Sequence, residues 1–177
     1  MADSPVEIRG ERPGDARAIG VVHDRAFGQA TESALVDALR AASRVVVSLV
    51  AEAEARVVGH ILFTPVAIGS AVEKTPLVLG LGPMAVLPAC QRRGIGSRLV
   101  AAGLEECRRL GHPAVVVLGH PGYYPRFGFV PASRYGLSSE YVVPDEVFMA
   151  MELTEGALRD RGGLVTYAPE FAAFSTD

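Results

Sequence analysis

Apolar residues recur along this chain with two different periods, and the period predicts the element. Ala16, Ile19, Val22, Ala26 and Phe27 are spaced by three and four residues. That repeat lines one face of a helix. Asp15 stands ahead of it as the expected cap. A second helix opens near Thr31-Glu32-Ser33 and carries the stripe Leu35, Val36, Leu39 and Ala42. Residues 45–51 are β-branched and apolar, 52–55 read as a turn, and 56–68 return as a second strand with Gly59 inside it. Residues 69–76 form a connection rich in small side chains. Residues 77–87 form the next strand, interrupted by Gly80, Gly82 and Pro83.

The longest periodic segment is a helix over residues 96–110, with Leu99, Val100, Gly103, Leu104, Cys107 and Leu110 on its buried side. Arg98, Glu105, Glu106, Arg108 and Arg109 form its wet side. Gly111-His112-Pro113 ends it. Residues 114–118 are apolar throughout, the pattern of a central strand covered on both faces. Residues 119–129 read as a loop or short helix and 147–153 as the last clear strand. The tail beyond Gly156 carries Tyr167, Phe171 and Phe174 and is expected to pack. The order predicts a mixed α/β sheet containing one right-handed parallel βαβ unit over residues 77–118. One domain over residues 1–177 is expected, with its core at about 6–153.

Composition narrows the function classes. The 177 residues carry a formal net charge of −3. That argues against nucleic-acid binding by bulk electrostatics, which needs an excess of Lys and Arg. Neither Cys90 nor Cys107 has a Cys or His neighbour at metal-ligand spacing, so no metal site is predicted. The N-terminal residues do not read as a signal peptide, and no apolar run reaches the length of a membrane span. The expected setting is cytoplasmic, with no membrane partner.

The chemistry concentrates where the third long strand meets the long helix. Met84-Ala85-Val86-Leu87-Pro88-Ala89-Cys90 runs into Gln91-Arg92-Arg93-Gly94-Ile95-Gly96-Ser97. A helix that starts on a glycine turn offers unpaired N–H groups and a positive dipole end to an anion. Arg92 and Arg93 add charge there. The three-glycine dinucleotide pattern and the Gly-Lys-Ser/Thr phosphate loop are both absent.

The run from Gln91 to Gly96 resembles the Gln/Arg-x-x-Gly-x-Gly/Ala signature of the GNAT superfamily of N-acetyltransferases. The stretch from Leu81 through Gly96, together with Gly122-Tyr123-Tyr124-Pro125-Arg126-Phe127-Gly128-Phe129, is similar to the YhbS-like subgroup of that family. The resemblance implies a mostly antiparallel sheet with one splayed parallel pair and helices on both faces. It implies acetyl-CoA as co-substrate and direct attack by a primary amine. The pyrophosphate would lie on Gln91, Arg92, Arg93, Gly94, Ile95, Gly96 and Ser97, and the pantetheine arm along Met84, Ala85 and Val86. Tyr124 matches the family's general acid, and the Val86 N–H is the expected oxyanion donor.

Departures from the family pattern leave the base open. Met84, Ala85 and Val86 are apolar where many members carry a glutamate, and Val117 replaces an asparagine found ahead of the tyrosine. His120 is a candidate base beside a water route, Glu32 is a candidate for holding a cationic acceptor, and His60 reads as structural. The acceptor is a small molecule, peptide or protein amine, and the chain a monomer or homodimer. Two alternatives from other classes are a non-catalytic acyl-CoA-binding sensor and a nucleotide-binding domain sharing only the loop.

Overall fold

The computed structural model describes residues 5–69 and 77–174, so most of the predicted 69–76 connection lies outside the described residues. The chain divides into two compact units. The first takes the residues up to Phe63, then Gly82–Gly103, then those from Pro169 onward; the second takes Thr64–Leu81 and Leu104–Ala168.

In the first unit, β1 (Val6–Gly10) pairs antiparallel with β2 (Val47–Ala53), from Val6 opposite Ala53 to Gly10 opposite Leu49. β2 pairs with β3 (Arg56–Pro65) through a turn of only two residues. Glu54 and Ala55 have φ of 51° and 59° there. Left-handed conformation at both central positions is the geometry that matches strand twist in a two-residue hairpin. The turn is therefore shorter than the four residues expected, and the strands run closer to its tip.

α1 (Ala16–Phe27) buries Ile19, Val22 and His23, and α2 (Thr31–Ala41) buries Leu35, Val36 and Leu39. Phe27, expected in the α1 stripe, is exposed because the helix ends on it and Gly28 turns left-handed. Asp15 does not cap α1. Its carboxylate accepts the Arg12 N–H at 2.7 Å and a guanidinium bond from Arg9 at 2.7 Å. A 3-10 turn over Pro13–Asp15 precedes α1, so the N–H group in need of an acceptor lies one turn earlier than the sequence indicates. α4 (Pro169–Ala173) closes this unit, where Glu170 pairs with Arg44 at 3.5 Å.

The second unit holds two sheets. Residues Leu79, Gly80 and Leu81 of β5 (Leu79–Val86) pair in parallel with Val115, Val116 and Val117 of β6 (Ala114–Leu118). β6 pairs antiparallel with β9 (Phe148–Glu152), and β9 with the short β7 (Val130–Pro131). β6 lies between β5 and β9, and Ala114 to Val117 are all buried, as the unbroken apolar run predicts. A separate sheet has the order β4-β10-β8, from Ala67–Ile68, Gly163–Thr166 and Leu137–Ser139. The tail thus supplies a strand, with Tyr167 buried beyond it and Phe171 and Phe174 half-buried. α3 (Ile95–Arg109) connects β5 to β6 and completes the βαβ unit. Leu110, expected on its buried side, is exposed just past its last turn.

Candidate active site

The loop after β5 is built by local hydrogen bonds. The Leu87 N–H donates to the Val58 carbonyl at 2.8 Å, which holds the end of β5 against β3. A 3-10 turn over Pro88–Cys90 follows. Gln91 then reaches back, its Nε2 donating to the Val86 carbonyl at 2.9 Å. The signature glutamine therefore ties loop to strand. Arg92 and Gly94 take φ of 60° and 77°, which turns the chain into α3. The Gly94 carbonyl accepts the Arg98 N–H at 3.0 Å, making Gly94 the cap residue.

The N–H groups of Ile95 and Gly96 precede that first bond and have no acceptor within the helix. A Cβ at Gly94 would meet nothing within 4 Å, so the space above the loop is open. Gln91, Arg92 and Arg93 are exposed, Gly96 and Ser97 half-buried, and Ile95 buried. Such a turn, with two guanidinium groups beside it, can hold a phosphate group. Ahead of it, Met84 and Val86 are half-buried and Ala85 is buried.

Tyr124 belongs to the second unit and starts a 3-10 turn, Tyr124–Phe127. Its ring is boxed by aromatic edges, with centroids 5.1 Å from Tyr123 and 5.7 Å from Phe129. Gly119 gives the ring its room: a Cβ there would lie 2.2 Å from Tyr124 Cε2. Burial, aided by the charge of Tyr123, pushes the Tyr124 phenol up to about 12. The hydroxyl is therefore protonated at neutral pH and is a proton donor. It makes no hydrogen bond to another described residue.

The remaining candidates take lesser positions. The His120 side chain is exposed, while its carbonyl accepts the N–H groups of Tyr123 and Tyr124 at 3.0 and 3.3 Å. Glu32 lies in the first turn of α2, with the Gln29 amide donating to it at 3.3 Å. Cys107 is buried and its thiol is pushed up to about 12 by desolvation, with Glu106 adding to it. Among the described residues no group of three or more His, Cys, Asp or Glu is arranged to hold a metal ion.

His60 is fully buried and structural. Its Nδ1 lies 2.9 Å from His23 Nε2 and its Nε2 2.8 Å from Ser48 Oγ. The Ser48 hydroxyl donates to Glu11, whose Oε1 accepts from Arg40 at 2.7 Å. A carboxylate only accepts, so Ser48 must donate to it and accept from His60. His60 then carries its proton on Nε2 and accepts from His23 Nε2–H. His23 Nδ1 is left as a buried lone pair with no partner among the described residues.

Sequence reasoning missed a cleft in the first unit. It measures about 530 Å³ and is lined by Asp24 and Arg25 at the end of α1, Arg56 and Val58 of β3, and Leu87 and Cys90 after β5. Its charged residues belong to no motif and come from segments about thirty residues apart, brought together by the packing of α1 on β3, where His23 meets His60.

Comparison with known proteins fixes the class. Residues 43–131 match the family model described as the acetyltransferase (GNAT) domain. The chain is 42% identical to the uncharacterized N-acetyltransferase YjhQ of Escherichia coli strain K12 over 75% of its own length and 74% of that protein. The crystal structure of the N-acetyltransferase YhbS from Escherichia coli, in complex with CoA, superposes with a TM-score of 0.91 at 32% identity, covering 99% of this chain and 96% of that one. A GNAT family acetyltransferase from Brucella melitensis, in complex with acetyl-CoA, gives 0.79 at 38% identity, covering 95% and 99%. The chain belongs to the GNAT family of acetyltransferases. Its fold is the GNAT fold, and it is an enzyme of the N-acetyltransferase class.

Proposed function

We propose that this enzyme, as one N-acetyltransferase domain over residues 1–177, transfers the acetyl group of acetyl-CoA to a primary amine by direct attack. The observation that carries this reading is the likeness, over 99% of the chain, to YhbS in complex with CoA, supported by the glycine turn that opens α3. The turn fits the ligand: it has open space above Gly94, the amides of Ile95 and Gly96, and the charges of Arg92 and Arg93. In this reading Gln91 fixes the loop, and Ser97 completes the first helical turn beside the pyrophosphate. The backbone of Met84, Ala85 and Val86 takes the pantetheine arm as an added strand. The Val86 N–H donates to the thioester oxygen as negative charge develops on it.

The amine attacks in its neutral form. Its lone pair forms the C–N bond, the C–S bond breaks, and Tyr124 gives its proton to the departing sulfur. The proton lost from nitrogen goes to solvent, from which Tyr124 is reprotonated. Tyr124 keeps its proton at neutral pH, as a general acid requires, although burial makes the phenol a weaker donor than a free tyrosine. The exposed side chain of His120 supports a solvent route over a histidine base, and His120→Ala is expected to leave turnover within about threefold, well short of a general-base loss.

Thermal unfolding with acetyl-CoA, CoA, ATP and NAD tests the binding half. A ligand at 100 times its Kd stabilises by about 2.7 kcal/mol, a rise of roughly 5–10 °C for a chain of this length. Acetyl-CoA and CoA should raise Tm, and Gly96→Glu, which sets a carboxylate against the phosphates, should abolish the rise. Tyr124→Phe should then lower kcat by about 10²–10⁴ with acetyl-CoA affinity unchanged. No shift with either CoA species would overturn the reading.

A further inference from the structure

The lining of the cleft in the first unit has a chemical bias. Arg25 and Arg56 have no acidic partner among the described residues, although both are long cations at one cavity. On a chain of net charge −3 that local surplus runs against the background. The lining also carries one carboxylate, Asp24, with Oδ1 held by the Ser33 hydroxyl. Val58 and Leu87, 5% and 7% exposed, supply an apolar floor, and the Leu87 N–H bond to the Val58 carbonyl keeps it rigid. Its volume of about 530 Å³ lies within the range of small-molecule sites. The cleft also shares backbone with the acyl-transfer elements: Leu87 follows Val86 directly, and Cys90 precedes Gln91.

Two guanidinium groups, one carboxylate and an apolar floor match a ligand bearing a carboxylate, an amino group and an apolar side chain. We infer that the cleft holds the acceptor, and that the acceptor is a small amino-carboxylate such as an apolar α-amino acid. Its carboxylate faces Arg25 and Arg56, its amino group faces Asp24, and its side chain lies on Val58 and Leu87. Planar guanidinium groups suit this because they bind carboxylates through paired N–H bonds. The assignment rests on the acetyltransferase reading, since it names that reaction's acceptor.

Cys90 provides a readout that needs neither acetyl-CoA nor turnover. It lines the cleft and is partly accessible, whereas the Cys107 thiol is buried and pushed up to about 12. The full chain is treated with iodoacetamide, and alkylation of Cys90 is followed by peptide mass spectrometry. Millimolar L-phenylalanine or L-methionine should slow it about tenfold, as expected for a site near nine-tenths occupied. Phenethylamine, which lacks the carboxylate, should not. Arg25→Ala and Arg56→Ala should each remove most of the protection; both side chains are exposed, so the variants fold. With acetyl-CoA added, the protecting amino acid should appear as its N-acetyl product.

No protection by either amino acid overturns the proposal, as does equal protection by phenethylamine. Protection without any N-acetyl product, in an enzyme whose Tm still rises with acetyl-CoA, overturns the acceptor assignment alone. A missing Tm response to CoA instead removes the parent reading, so the two failures are distinguishable.

Discussion

Acidification should unfold this enzyme through its buried histidine pair. His23 and His60 are both fully buried, and the bond order derived above leaves each with one proton. A second proton on His23 would sit on Nδ1, where no acceptor is present among the described residues. Burial lowers the His23 imidazolium from 6.5 to about 4, against a smaller opposing pull from Asp24. Burial lowers His60 as well, reinforced by His23 and Arg40 and opposed by Asp15. The folded values lie below the unfolded ones, so the unfolded chain binds more protons at acid pH. The stability is therefore fully present above pH 6.5 and lost as pH falls toward 4. For His23 alone the span is about 3 kcal/mol, of which about 2 kcal/mol has gone by pH 5. His60 adds to the loss.

Urea unfolding at 25 °C between pH 7.5 and pH 5 measures this. Carboxylates also begin to titrate in that range, so the reference is a double variant, His23→Leu with His60→Met, which has no imidazole in the core. The wild-type enzyme should lose at least about 2 kcal/mol more than the variant over the interval, the His23 share with that of His60 added. Parallel stability curves for the two proteins would refute both the burial argument and the proton assignment.

Two further outcomes follow from close contacts at the candidate site. Gly119→Ala places a methyl group 2.2 Å from Tyr124 Cε2, in a ring box that Tyr123 and Phe129 already fill. The ring must move by about an ångström, which should lower kcat by about 10² and stability by about 1–3 kcal/mol; a variant with wild-type kcat would show that the position of Tyr124 does not matter. Gln91→Ala removes the bond to the Val86 carbonyl and should weaken acetyl-CoA binding by about 1 kcal/mol, or fivefold, by calorimetry; affinity retained in full would mean that the loop holds its shape without that tie.

The sequence was most legible where a local pattern and a local structure coincide. α1, α2 and α3 follow the three- and four-residue apolar spacing, and β6 follows an unbroken apolar run, because each element is long enough to express its period. The loop over residues 91–97 was legible for another reason: glycines at fixed spacing are demanded by backbone conformation, and Gly94 has the left-handed φ that justifies one of them. β7, β8, β10 and α4 are two to five residues long, too short to carry a period, and were not predicted. Phe27 and Leu110 obey the helical spacing and are still exposed, because a period says which face a residue shares and not where the packing ends.

The same limit separates the two halves of the chemistry. The residues proposed to hold the acetyl donor lie in two contiguous stretches, so a motif can point to them, and Gln91 Nε2 donates to the Val86 carbonyl within the first. The residues of the cleft and of the histidine pair are single positions on α1, β2 and β3 whose neighbours are set by strand register. Val50 lies opposite His60 in that register, and the next strand pairs Leu87 with Val58. A shift of one residue would turn His60 away from His23 and Val58 away from the cleft. If the proposed cleft holds the acceptor, its choice is set by sheet register and by the end of α1, and a search for the acceptor should follow Arg25 and Arg56 across relatives before it follows the signature loop.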